Sequence, residues 1–123
     1  MTARKILLVD DSETVLLMEK MILGKDLYEV VTAKNGKEGV EKARQLRPDL
    51  ILMDVVMPEM NGFEAVRQLR EGATTHSIPI VMVTTQAEAE SMEAGYESGC
   101  NDYVTKPINS TELLTKVRNI LGV

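Results

Sequence analysis

A chain of 123 residues is one domain long, and 44% hydrophobic with 27% charged residues places it among globular chains and away from disordered ones. With 19 acidic against 14 basic residues it carries a net charge of -5, and its aromatics are only Tyr 3, Phe 1 and Trp 0. That balance argues against direct nucleic-acid binding, which needs a basic stripe or stacking platforms. The single cysteine, Cys100, excludes an internal disulfide and fits a reducing compartment. No segment approaches the roughly 18 apolar residues of a membrane span, and the N-terminus enters a short apolar run without the longer stretch of a secretory signal. The expectation is one cytoplasmic domain over residues 1–123, monomeric and without membrane insertion.

Two periodicities alternate along the chain. Lys5 to Val9 is a short apolar run stopped by Asp10-Asp11, the pattern of a strand buried on both faces. Ser12 to Leu23 is helical, with Val15, Leu16, Met18, Ile22 and Leu23 as its apolar stripe, Asp11 or Ser12 as its cap, and Gly24 as a left-handed stop. Glu29 to Ala33 is a β-branched strand. Asn35-Gly36-Lys37-Glu38 has capping-box spacing and opens a helix whose stripe is Val40, Ala43 and Leu46, ended by Pro48. Leu50 to Met53 is the next buried strand, ending at Asp54. After the loop Met57-Pro58-Glu59-Met60, Asn61-Gly62-Phe63-Glu64 repeats the cap, with Phe63, Val66 and Leu69 facing inward.

Pro79 precedes the strand Ile80 to Val83, which ends at Thr84. Glu88 to Ser98 reads as a weaker helix, its apolar positions mostly Ala with Met92 and Tyr96. Asp102 to Thr105 is a short strand ended by Lys106-Pro107, and Asn109-Ser110-Thr111-Glu112 opens a last helix with Leu113, Leu114, Val117, Ile120 and Leu121 inward. Five strands alternating with five helices imply a parallel sheet covered on both faces. The economical arrangement is a flavodoxin-like (βα)5 fold with strand order 2-1-3-4-5.

In such a sheet the residues that stop each apolar run share one edge: Asp10, Asp11, Asp54, Thr84 and Lys106. Any one of them alone reads as a turn former, a strand residue or a solvated charge. Together they sit where open α/β sheets bind ligands, at the switch between the first and third strands. Three clustered carboxylates repel unless a cation compensates, and an all-oxygen set without His or Cys favours Mg2+. Mg2+ is commonly held together with phosphate oxygens, and a Lys charge and a Thr hydroxyl suit the remaining phosphoryl oxygens. An Asp beside the metal can serve as the nucleophile that accepts the phosphoryl group.

The runs Ile6-Leu7-Leu8-Val9-Asp10-Asp11-Ser12, Pro48 to Asp54, Met57 to Gly62, Ile80 to Thr84 and Gly99 to Pro107 are together specific. Through them the chain resembles, from Lys5 to Leu121, the receiver domain of two-component response regulators, in particular the stand-alone chemotaxis type. The resemblance implies that Asp54 is the phosphoryl acceptor. It implies that Asp10, Asp11, Asp54 and the Val56 carbonyl hold Mg2+, and that Thr84 and Lys106 bind phosphoryl oxygens. Tyr103 would be the aromatic that turns when Thr84 moves, and Lys106-Pro107 a cis peptide. A sensor histidine kinase or phosphotransfer protein would donate the phosphoryl group, and a downstream protein would bind the face formed by residues 88–121. Two departures bear on rates. Thr85 stands where a small residue is usual, narrowing donor access, and Val56 offers a hydrolytic water no polar partner, whereas Gln86 can.

The alternatives are a receiver cut from a longer regulator or kinase, and a constitutive interaction module of the same fold. A phosphatase of small molecules wants a second acid two residues past the nucleophile, and Val56 is not one. Flavin binding is opposed by Asp10-Asp11, which would repel the flavin phosphate. His76, the only histidine, reads as a solvated loop residue, Cys100 as a small buried filler, and Met57 and Met60 as packing.

Overall fold

In the computed structural model, residues 4–24, 28–57, 60–85 and 99–122 are described. In chain order they form β1 (Arg4–Val9), α1 (Glu13–Leu23), β2 (Tyr28–Ala33), α2 (Gly36–Leu46), β3 (Leu50–Asp54), α3 (Gly62–Glu71), β4 (Ile80–Thr85), β5 (Asp102–Lys106) and α4 (Ser110–Leu121). The strands make one parallel sheet of order β2-β1-β3-β4-β5, the expected flavodoxin-like topology. The expected helix Glu88 to Ser98, and Gln86 before it, lie outside the described residues.

Strand alternation builds two cores. Leu7, Val9, Ile51, Met53, Ile80 and Met82 face α2 and α3, where Val40, Ala43, Val66 and Leu69 meet them. Ile6, Leu8, Leu50, Leu52, Val81, Val83 and Val104 face the other way, against Leu16, Ile22 and Leu23 of α1 and Leu113, Val117 and Leu121 of α4. Continuous apolar runs in the sequence are therefore strands buried on both faces.

Helix starts are set by their caps. The Ser12 hydroxyl accepts the Val15 N–H, which decides between Asp11 and Ser12, and Asn35, Asn61 and Asn109 accept the N–H of the glutamate three residues on. Three details of the helices differ from expectation. Gly24 is right-handed at φ -65, because its N–H bonds back to Lys20 and continues the helix, whereas Arg47 takes the left-handed position after α2 at φ 47. Leu46 is 37% exposed; contact with the sheet is made earlier on α2, where Gly39 lets the helix down onto Val9. On α1, Met18 is 41% exposed and Val15 is half-buried, while the charged Glu19 is 1% exposed.

Candidate functional site

The chain turns sharply after β1, and that turn builds the first wall of the site. The Asp10 N–H donates to Ala33 O at 3.1 Å, and its Oδ1 accepts the Ser12 N–H at 2.9 Å. Asp10 thus both forms the turn and presents its other oxygen inward. Asp54 ends β3 in register with Val83. It shares the parity of Leu50 and Leu52, as Lys106 shares that of Val104, so both point to the side of the sheet covered by α1 and α4. The Lys106 ammonium donates to Asp54 Oδ1 at 3.1 Å and stands 3.7 Å from Asp10 Oδ2. Lys106-Pro107 is a cis peptide, as expected.

Gly62 holds the floor of the site. A Cβ there would lie 2.2 Å from the Asp54 carbonyl oxygen, and the Gly62 N–H donates to Val55 O at 2.8 Å. Only glycine lets the start of α3 approach the end of β3 this closely.

Asp10 and Asp54 are buried and Asp11 is exposed, and one oxygen of each lies within 4.8 Å of the others. Burial raises the pKa of Asp54 to about 6; the charge of Asp10 adds to the rise, and the Lys106 hydrogen bond opposes it. Asp10 is raised as well, chiefly by burial, against the Ser12 N–H and Lys106. For Lys106, burial works against the charge, but the hydrogen bond and charge of Asp54, with Asp10 and Glu19, outweigh it and hold the ammonium on.

The structure therefore joins Asp10, Asp11, Asp54 and Lys106. Thr84 is fully buried one residue past Val83, the partner of Asp54, and its hydroxyl donates to Thr85 O at 3.4 Å. Val56, two residues past Asp54, is 60% exposed. Tyr103, in register with Met82, is half-buried against the core of α2 and α3, and the Lys116 ammonium lies 5.1 Å above its ring. Cys100 is buried with its thiol pushed up by burial, and His76 is exposed, so neither joins the site.

A hard cation fits this donor set. The clustered side chains offer only carboxylate oxygens, and Asp10 Oδ2 is buried with no hydrogen-bond partner, which a bound cation would supply.

The strand ends of this doubly wound α/β module thus gather three carboxylates and an ammonium at the switch between β1 and β3. Residues 6–118 match the response regulator receiver domain family, and the chain belongs to it. It is 43% identical over 118 residues to the protein PilH of Pseudomonas aeruginosa, covering 96% of this chain and 98% of that one. It is 38% identical to the alkaline phosphatase synthesis regulator PhoP of Bacillus subtilis, of which it spans 48%. Among solved structures, the chemotaxis protein CheY4 of Vibrio cholerae superposes with a TM-score of 0.90 at 37% identity, covering 98% of this chain and all of that one. The receiver domain of a Pseudomonas aeruginosa sensor histidine kinase, with a magnesium ion coordinated in its active-site cleft, has a TM-score of 0.90 at 30% identity; the match covers 99% of this chain and 100% of that one. The protein is thus a two-component receiver, a signalling module and not an enzyme acting on an external substrate.

Sequence reasoning passed over three residues that shape the site. Gly62 was visible only as a helix-start glycine; its close approach to Asp54 is tertiary. Lys116, which donates to Asp102 and the Tyr103 carbonyl, carries no signal in the sequence. Glu19 did leave a signal: three residues past Leu16 and four before Leu23, it falls on the apolar stripe of α1.

Proposed function

We propose that this chain, as a single receiver domain over residues 1–123, accepts a phosphoryl group on Asp54 from a phosphohistidine and thereby changes its binding to a partner. The observation that carries this reading is the Lys106–Asp54–Asp10 cluster at the strand ends. Asp54, with its carboxyl at about 6, is ionised at neutral pH, as a nucleophile must be. Its oxygen forms the new bond to phosphorus while the phosphorus–nitrogen bond of the donor breaks. Lys106 meets the charge spread over the transferring oxygens, with Thr84 donating to one of them. Asp10, Asp11, Asp54 and the Val56 carbonyl would hold Mg2+, which when bound neutralises phosphoryl charge. Hydrolysis reverses the modification, and Val56 gives its water no polar anchor.

The exposed apolar side chains of α1, Leu17, Met18 and Met21, support docking of the donor, a sensor histidine kinase or phosphotransfer protein, beside the site. For output, Thr84 moves toward the phosphoryl group and Tyr103 turns into the space released, which re-forms the face of residues 88–121 for a downstream protein. The compartment we infer is the cytoplasm; no described helix is long and apolar enough to cross a membrane.

Incubation with acetyl phosphate and Mg2+ followed by intact-mass measurement tests the first step. One added phosphoryl group is expected, and none in Asp54→Asn. Addition that persists in that variant overturns the assignment. Amide NMR shifts with beryllofluoride and Mg2+ test the second: shifts confined to the acid cluster, with Tyr103 silent, refute the relay.

A further inference from the structure

One charged side chain lies on the buried stripe of α1. Glu19 is 1% exposed, and neither of its carboxyl oxygens has a hydrogen-bond partner. It makes no hydrogen bond or ion pair with the acid cluster, yet the charges of Asp10, Asp54 and Lys106 all act on it. These three lie at the strand ends on the side of the sheet that α1 covers. The other charged groups on the elements around it face elsewhere. Arg4 and Lys5 are at the opposite end of β1, and Glu29 on β2 with Glu112 and Arg118 on α4 are exposed. Lys116 is engaged with Asp102 and Glu112. An apolar residue would complete the stripe between Leu16 and Leu23 without leaving two polar atoms unpaired. An ionisable group buried within reach of a charged site, with no structural bond to make, is a candidate for tuning that site.

We propose that Glu19 is a proton-holding positioning residue for the phosphoryl-acceptor site: neutral while the acid cluster bears its own negative charge, it gives up its proton when a divalent cation occupies that cluster. This rests on the reading of Asp10, Asp11 and Asp54 as the cation site. The chemistry is a single proton transfer to solvent: the carboxyl O–H bond breaks, its electron pair stays on oxygen, and nothing is oxidised or reduced. Burial, with the charges of Asp10 and Asp54, keeps the proton on and pushes the Glu19 pKa to about 8, against Lys106. A divalent cation reverses the sign of the field those carboxylates exert, which favours the ionised form. Coupling is reciprocal, so ionised Glu19 favours the cation in turn, and affinity for it climbs with pH through the range in which Glu19 titrates.

The test is calorimetric titration of the chain with Mg2+ at about pH 8 in two buffers of different ionisation enthalpy, which counts protons released per cation bound. Glu19→Gln keeps the shape and cannot ionise; Glu19→Leu removes the polar atoms altogether. Wild type is expected to release on the order of half a proton more than either variant, and its Mg2+ affinity to rise about threefold more between pH 7 and pH 9. A role in packing alone would change stability without changing the proton count. Should wild type and whichever variants fold release equal protons, the coupling is overturned and the cation site stands. No Mg2+ binding by wild type overturns both readings.

Discussion

Replacing Asp54 with asparagine should stabilise this protein at neutral pH, although it removes an ion pair. The Asp54 carboxyl rises from 3.8 to about 6 on folding, so between those values the folded state binds more protons than the unfolded one. Stability then falls as pH rises, because the slope follows protons bound in the unfolded minus the folded state. The contribution is intact below the unfolded pKa of 3.8 and lost once pH passes the folded value of about 6. At about 1.4 kcal/mol per unit, the penalty at neutral pH is about 3 kcal/mol, and roughly 2 kcal/mol of it falls between pH 4.5 and pH 7.5. Asparagine keeps the shape of the protonated acid and escapes the penalty. Urea unfolding with a chelator present, at those two pH values, isolates the effect, since any packing cost of asparagine cancels in the difference. The variant should gain about 2 kcal/mol relative to wild type on going from the lower pH to the higher. Part of the penalty is repulsion from Asp10, so Asp10→Asn relieves a share of the same energy and the double variant gains less than the sum. An Asp54→Asn difference that is flat with pH, or of opposite sign, refutes the argument that the acceptor is held at an electrostatic cost.

Mg2+ at ten times its Kd should stabilise the fold by about 1.4 kcal/mol, read as a rise in Tm, and Asp11→Ala should abolish that rise. Val56→Asn gives the hydrolytic water a partner and should shorten the phosphoprotein lifetime a few-fold, measured as decay after donor removal. Gly62→Ala puts a methyl against the Asp54 carbonyl and should cost about 1–3 kcal/mol in urea unfolding, or more if β3 cannot shift. Arg47→Gly relieves a left-handed arginine on an exposed helix end and should gain about 0.5–1 kcal/mol in the same assay.

Much of this protein is local in origin and so legible in the chain itself. Apolar runs of five or so residues, each stopped by an acid, a hydroxyl or a lysine, determine the strands and put Asp10, Asp54, Thr84 and Lys106 at one edge, because parallel strands all end on the same side. Asn-x-x-Glu spacing determines where α2, α3 and α4 begin, since the cap bond closes within four residues. Tertiary structure decided what depends on approach between distant segments. Leu46 and Met18 satisfy helical periodicity yet lie exposed, because the sheet covers only part of each helix. Gly62 is needed only because α3 lands on the backbone of Asp54. Glu19 falls on the apolar stripe of α1 in sequence, but its surroundings do not show there. Its burial, its unpaired oxygens and its place in the field of Asp10, Asp54 and Lys106 exist only once α1 is laid across the strand ends, because desolvation and Coulomb energy depend on distance in space and not along the chain.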